Sequence, residues 1–272
     1  MHESFFSGVC TALVTPFLGG EVNFPLAELL LRRQIDAGIR AVVLAGTTGE
    51  SATLSDEEKL TLFRRCKQYA GESCKIIAGV GSNSTAHTAA LSQAAAETGV
   101  DGLLIVSPYY NRPTAEGLFA HYLTVAHQVD LPIILYNVPS RTGVDIPVSV
   151  YRRLSRIPNI VGVKEAGTDL KKVTQTLNAC APDFSLWSGN DELTVPVIAL
   201  GGQGVVSVLS NICPVEAQAM AEAALDGDFD TASALQKQMQ PLIELLFCQS
   251  NPIPVKAACG TWALTAANAG CL

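Results

Sequence analysis

One lysine stands in the middle of a run that otherwise reads as a buried strand. In IVGVKEAGTD, residues 160 to 169, Lys164 follows Ile160, Val161, Gly162 and Val163. The other seven lysines fall on polar helix faces, at element edges or, for Lys256, in the C-terminal region. Burial disfavours an ammonium group, and an uncharged amine attacks a ketone carbonyl to form a Schiff base. The second reading is a lysine ion-paired to a nearby carboxylate such as Glu165. The lysine by itself does not choose between them.

Other polar groups end apolar runs in the same way: GTTGE (46–50), PYYN (108–111), YNVPSRTG (136–143) and SGND (188–191). A phenol at Tyr136 can pass a proton to and from a carbinolamine oxygen, and Tyr110, Thr47 and Thr48 extend it into a relay of O–H groups. The backbone N–H groups of the GTTGE turn, with its threonine hydroxyls, suit the carboxylate of an α-keto acid. Arg141 is a planar fork suited to a second carboxylate. Each has a plainer reading: a rim tyrosine, a loop or subunit contact at Tyr109 and Tyr110, a tight turn, a surface salt bridge. A turn, however, needs no pair of hydroxyls. No nicotinamide or ATP motif competes for the site, and none of the four histidines (His2, His87, His121, His127) is assigned to catalysis.

The elements that must position these groups form a repeating pattern. Eight β-rich runs begin at residues 8, 40, 75, 102, 132, 159, 184 and 204, and most lack polar alternation, as strands covered on both faces do. Amphipathic stretches such as PLAELLLRRQIDAG and SDEEKLTLFRRCKQYAG lie between them. Ser55 with Glu58 makes a capping box, and Ser84 and Thr114 cap later helices. Eight such units favour a closed (β/α)₈ TIM barrel of the α/β class over an open sheet. TPFLGG after the first strand is no phosphate loop. Beyond residue 213 the pattern is all helical. We therefore expect a catalytic barrel over 1–212 and a C-terminal helical region, 213–272, packed on it. In such a barrel the chemistry sits at the C-terminal ends of the strands, which is where the polar stretches fall. NPIPVK (251–256) reads as a structural helix entry, with Lys256 pairing or capping.

Composition excludes other classes. The chain has 272 residues, 48% of them hydrophobic, and a net charge of −7; its pI is near 5.1. Nucleic acid is not an expected partner of so acidic a chain without a basic cluster. No run is long enough for a membrane span, and MHESFFSGVC lacks the features of a signal peptide, so a cytoplasmic location is expected. The eight cysteines show no CxxC pair, no histidine stands at zinc-ligand spacing, and no metal site is expected. The cysteines read as small buried hydrophobes.

GTTGESATLS, SPYYNRPTAEG, YNVPSRTG, VGVKEA, GGQGVVSV and NPIPVK together closely resemble the dihydrodipicolinate synthase family of class I aldolases, within the wider group that includes N-acetylneuraminate lyase. The likeness runs from about residue 5 to residue 260. It implies that Lys164 forms a Schiff base with pyruvate, with no cofactor, and that Tyr136, Thr47 and Tyr110 make the proton relay. Tyr110 would reach across to a neighbouring subunit's site. Thr48 and the backbone at Val206 would hold pyruvate, with Gly189 also in the substrate site, and Arg141 would receive the carboxylate of aspartate semialdehyde. A homotetramer is implied, with a dimer as the alternative. Two rival functions stand beside it: a sister aldolase acting on a sugar acid of the N-acetylneuraminate or 2-keto-3-deoxygluconate type, and a barrel that has lost catalysis and only binds ligand. Lysine-inhibited members look similar at Ser51, Ala52, Asn83 and Tyr109. Where those commonly carry two histidines and a glutamate, this chain has Asp56, Lys59 and His87, and weak or absent lysine inhibition is expected. The chain also ends at TWALTAANAGCL, earlier than relatives that continue into a segment covering the helical domain, which bears on stability and assembly.

Overall fold

The computed structural model describes residues 4–268, with side chains to residue 260. Met1, His2 and Cys271 lie outside the described residues, as do the last four residues of TWALTAANAGCL. The strands are β1 (Gly8–Ala12), β2 (Phe17–Leu18), β3 (Glu21–Val22), β4 (Ala41–Leu44), β5 (Lys75–Gly79), β6 (Gly102–Val106), β7 (Ile133–Asn137), β8 (Ile160–Glu165), β9 (Ser185–Ser188) and β10 (Gly204–Ser207). β2 and β3 form a small antiparallel hairpin. The other eight close into a parallel barrel in the order β1-β10-β9-β8-β7-β6-β5-β4, and each lies within one of the eight predicted runs.

The helices are α1 (Phe24–Asp36), α2 (Asp56–Ala70), α3 (Thr85–Ala96), α4 (Ala115–Ala126), α5 (Pro139–Thr142), α6 (Val148–Leu154), α7 (Leu170–Ala179), α8 (Thr194–Ala199), α9 (Pro214–Leu225), α10 (Phe229–Leu246) and α11 (Ile253–Asn268). The predicted caps form. Ser55 accepts from the Glu58 N–H at 3.2 Å while the Glu58 carboxylate accepts from the Ser55 N–H at 2.7 Å. Ser84 and Thr114 accept from the N–H groups of His87 and Gly117. α9 lies against β1 and β10, so the last member of the helical ring comes from the region after residue 213, and α10 packs on α8 and α9.

Strand alternation divides the core in two. Leu135, Val163, Leu186 and Val205 face the helices. Ile134, Tyr136, Trp187 and Val206 face the barrel interior. The indole of Trp187 stacks on Phe6 at 4.5 Å between centroids and donates to the Phe6 carbonyl at 3.1 Å, closing the interior at the N-terminal end of β1. Gly162 makes room for it: a Cβ there would lie 2.5 Å from Trp187 Cζ3 and 2.3 Å from the Ser185 carbonyl oxygen.

Two sequence expectations need correction. Lys59 and Lys172, read as residues of polar helix faces, are buried. Each meets a carboxylate, Lys59 that of Asp56 at 3.6 Å and Lys172 those of Asp145 and Glu165. Of the cysteines, Cys10, Cys66, Cys74 and Cys259 are buried, but Cys180 and Cys213 are half-buried and Cys248 is exposed. The helix ends and loops that carry those three have solvent on one side. Among the described residues, no helix is long and apolar enough to cross a membrane.

Candidate active site

The two readings of Lys164 separate on strand geometry. Lys164 and Glu165 are consecutive in β8, so their side chains leave opposite faces of the sheet. Glu165 lies on the helix side, where it accepts from the Asn137 amide at 2.8 Å, the Gly167 N–H at 2.8 Å and the Tyr151 hydroxyl at 3.1 Å. Lys172 of α7 lies 3.4 Å from it. Burial, reinforced by this carboxylate, raises the Tyr151 pKa well above its ordinary value, so the phenol is a donor. Glu165 is therefore committed to other groups. Lys164 points inward, 5% exposed, with no hydrogen bond or ion pair among the described residues.

Removing this outer network should cost stability. Glu165→Leu leaves the Tyr151 hydroxyl and the Gly167 N–H without the acceptor they share, and Asn137 and Lys172 with Asp145 alone, for a loss of about 3 kcal/mol. Denaturant unfolding measures it, and an unchanged midpoint would contradict the role given to Glu165.

On the inner face, Tyr136, Lys164 and Trp187 stand side by side in register across β7, β8 and β9. The Lys164 Nζ lies 4.4 Å from the centroid of the Tyr136 ring. The Tyr136 hydroxyl meets Thr47 Oγ1 at 3.5 Å, the outer limit of a hydrogen bond. The structure thus brings Lys164, Tyr136 and Thr47 together. Tyr110 borders the same cavity but is 90% exposed, with a left-handed backbone at φ 70° and no hydroxyl partner among the described residues. Within one chain the expected relay joins only its first two members.

The cavity above them has a volume of about 1300 Å³ and is bordered by Thr47, Tyr136, Val138, Arg141 and Asn251, among others. Lys164, Thr48, Val206 and Gly189 are not among its lining residues; Thr48 and Val206 are buried behind it. Arg141, on the short helix α5, donates to the Asn251 carbonyl at 2.8 Å. The Asn251 amide donates to Thr48 Oγ1 at 2.9 Å. NPIPVK is therefore more than a helix entry, and Asn251 is a site residue that sequence reasoning missed. Lys256, as expected, forms an ion pair, here with Glu50 of the GTTGE turn. In that turn the N–H groups of Glu50 and Ser51 bond internally to Thr47 and Gly46, which leaves fewer donors for a carboxylate than the sequence suggests. Asp191, also in a rim segment, is held by the Val208 and Leu209 N–H groups at 2.9 and 3.0 Å. Burial raises its pKa against the pull of those donors and of the Lys164 charge.

Ser51, Ala52, Asn83, His87 and Tyr109 line another part of the same cavity. Asp56 joins Lys59 to His87, whose Nε2 lies 2.7 Å away. Slight burial opposes ionisation of Asp56, but its hydrogen bond to His87 and the charges of His87 and Lys59 outweigh this and lower its pKa.

A closed parallel barrel that holds an unpaired lysine on an inner strand face beside a tyrosine, under an open cavity, is the architecture of a Schiff-base-forming class I aldolase. The chain matches the model of the Dihydrodipicolinate synthetase family over residues 5–269, and it belongs to that family. It is 43% identical over 254 residues to the 4-hydroxy-tetrahydrodipicolinate synthase of Oleidesulfovibrio alaskensis, covering 93% of this chain and 87% of that protein. The 4-hydroxy-tetrahydrodipicolinate synthase from the thermoacidophilic methanotroph Methylacidiphilum fumariolicum SolV has a similar structure, with a TM-score of 0.93, 45% identity, and coverage of 95% of this chain and 87% of that one. So does the synthase from Cyanidioschyzon merolae with lysine bound, with a TM-score of 0.91, 45% identity, and coverage of 94% and 88%.

Proposed function

We propose that this protein is a 4-hydroxy-tetrahydrodipicolinate synthase, joining pyruvate to L-aspartate 4-semialdehyde. The observation that carries the reading is Lys164: buried, unpaired, and in register beside Tyr136. Its free amine adds to the pyruvate ketone, and loss of water from the carbinolamine gives the imine. Tyr136, linked to Thr47, moves the proton that this step requires. Tyr110, exposed on one chain, supplies the third hydroxyl to a neighbouring subunit in a homo-oligomer. Loss of a methyl proton turns the imine into an enamine, whose carbon attacks the aldehyde. The amine of the adduct then attacks the imine carbon, closes the ring and releases Lys164. Arg141 holds the carboxylate of the acceptor, while Thr48 and the backbone at Val206 and Gly189 hold pyruvate.

Borohydride reduction in the presence of pyruvate, followed by peptide mass analysis, tests the first step. An adduct on Lys164 is expected, and its absence leaves only a binding role. Turnover of aspartate semialdehyde is then compared with that of N-acetylneuraminate and 2-keto-3-deoxygluconate. Preference for either sugar acid assigns the chain to a sister activity.

Lysine inhibition is expected to be weak or absent. The amines of lysine would meet the Lys59 cation and His87, and the Asp56 carboxylate between these two is already engaged by both. Turnover at saturating lysine should stay close to the uninhibited rate; strong suppression would refute this.

A further inference from the structure

The cavity wall between β7 and α6 is a short piece of chain bonded largely to itself. Within residues 138–144, the N–H groups of Arg141 and Thr142 donate to the Val138 carbonyl and that of Gly143 to the Pro139 carbonyl, while the Thr142 hydroxyl donates to the Val144 carbonyl at 2.9 Å. Ser140, Arg141, Thr142 and Gly143 border the cavity. Among the described residues, two hydrogen bonds tie this piece to the rest of the chain. Arg141 donates to the Asn251 carbonyl, and the Thr142 carbonyl accepts from the Tyr110 N–H at 3.4 Å, near the limit of such a bond. A loop of this kind takes its position mainly from where its two ends are held.

The ends meet at Asn137. It is the last residue of β7, wholly buried, and both arms of its amide are used. Oδ1 accepts from the Ile146 N–H at 3.0 Å, and Nδ2 donates to Asp145 Oδ1 and to Glu165 Oε1, each at 2.8 Å. The residue before the segment thus holds the two residues after it. It also ties the loop to the reacting strands, because Asn137 pairs with Glu165 one step beyond the pairing of Tyr136 with Lys164. Lys172 of α7 completes the clasp, its ammonium ion-paired with Asp145 and 3.4 Å from Glu165. None of these four residues borders the cavity.

Resting on the reading of this chain as a synthase, we propose that Asn137 and Asp145 are positioning residues for the second half of the reaction. They fix the 138–144 wall, and Arg141 with it, against the strand that carries Lys164, and so set where the aldehyde stands relative to the enamine carbon. Misplacing a reactant by about 1 Å can cost as much as 10²-fold in rate. The pyruvate half does not depend on the clasp, since Lys164 and Tyr136 are placed by the strands themselves and Thr47 by the GTTGE turn.

Asp145 is the member to vary, because its side chain is 58% exposed and can be cut back without emptying the core. Asp145→Ala is expected to lower kcat/KM for L-aspartate 4-semialdehyde, at saturating pyruvate, by about tenfold. Pyruvate–borohydride labelling of Lys164 should proceed in it at the wild-type rate. Asp145→Asn keeps an oxygen for Asn137 and Lys172 and is expected to lose much less. Thermal unfolding shows that each variant is folded at the assay temperature, and Asp145→Ser replaces the alanine variant if that one is not. A residue that only supports the fold would move the unfolding midpoint without separating the two half-reactions. Unchanged kcat/KM in Asp145→Ala would overturn the proposal. So would labelling slowed in the same proportion as turnover, or a loss in Asp145→Asn as large as in Asp145→Ala. A wild-type protein that labels with pyruvate but does not turn over aspartate semialdehyde refutes the synthase reading itself, a result distinct from any of these.

Discussion

Lys164→Ala is expected to lower kcat by at least about 10³-fold, the scale on which covalent catalysts respond to loss of the nucleophile. Pyruvate–borohydride labelling should vanish with it. Lys164→Arg should fail as completely, because a guanidinium stays protonated and has no lone pair to offer a ketone. That second variant keeps a long basic side chain and removes only the free amine. Stability should change little in Lys164→Ala, since Lys164 has no hydrogen bond or ion pair to lose among the described residues, whereas Lys164→Arg buries a larger group that cannot shed its charge and should be less stable. Thermal unfolding beside the kinetic measurement shows this. A lysine held in place by a carboxylate would give the opposite pattern, a large loss of stability with activity following it. Retained turnover in either variant would end the Schiff-base reading.

The barrel was legible because its strands are covered on both faces and so appear as unbroken apolar runs, with capping residues marking where helices begin. The position of Lys164 within such a run was legible for the same reason. Its partner, or lack of one, was not. That depends on Glu165 leaving the other face of β8 and finding Asn137, Tyr151 and Lys172, and those contacts join different elements of the barrel, which no pattern within one run shows. Helical periodicity likewise placed Lys59 and Lys172 outside, because it shows which way a side chain points from its own helix and not what a neighbouring element lays over it. The contacts of Asn251 were not legible either: NPIPVK stood out as a motif, but 203 residues separate Asn251 from Thr48. The left-handed backbone at Tyr110 and Arg112, with φ of 70° and 48°, sits in a stretch whose residue types do not require it.

Tyr136→Phe is expected to lower kcat by about 10²–10⁴-fold, the range for removing a positioned proton-transfer group. The ring that lies against the Lys164 amine, 4.4 Å from its centroid, remains, and so does its packing in the barrel interior. Only the hydroxyl goes, and with it a single long hydrogen bond to Thr47. Thermal stability should therefore stay near that of the wild type, whereas Tyr136→Ala would also empty part of the core. The labelling experiment then divides the reaction. Pyruvate should still reach Lys164 and be trapped to the full extent, but slowly, because the carbinolamine loses its hydroxyl only when a proton is delivered to it. Thr47→Val, which removes the partner of the phenol and keeps the shape, should show the same slowing to a smaller degree. Unchanged kcat in Tyr136→Phe would place the proton transfer on another group.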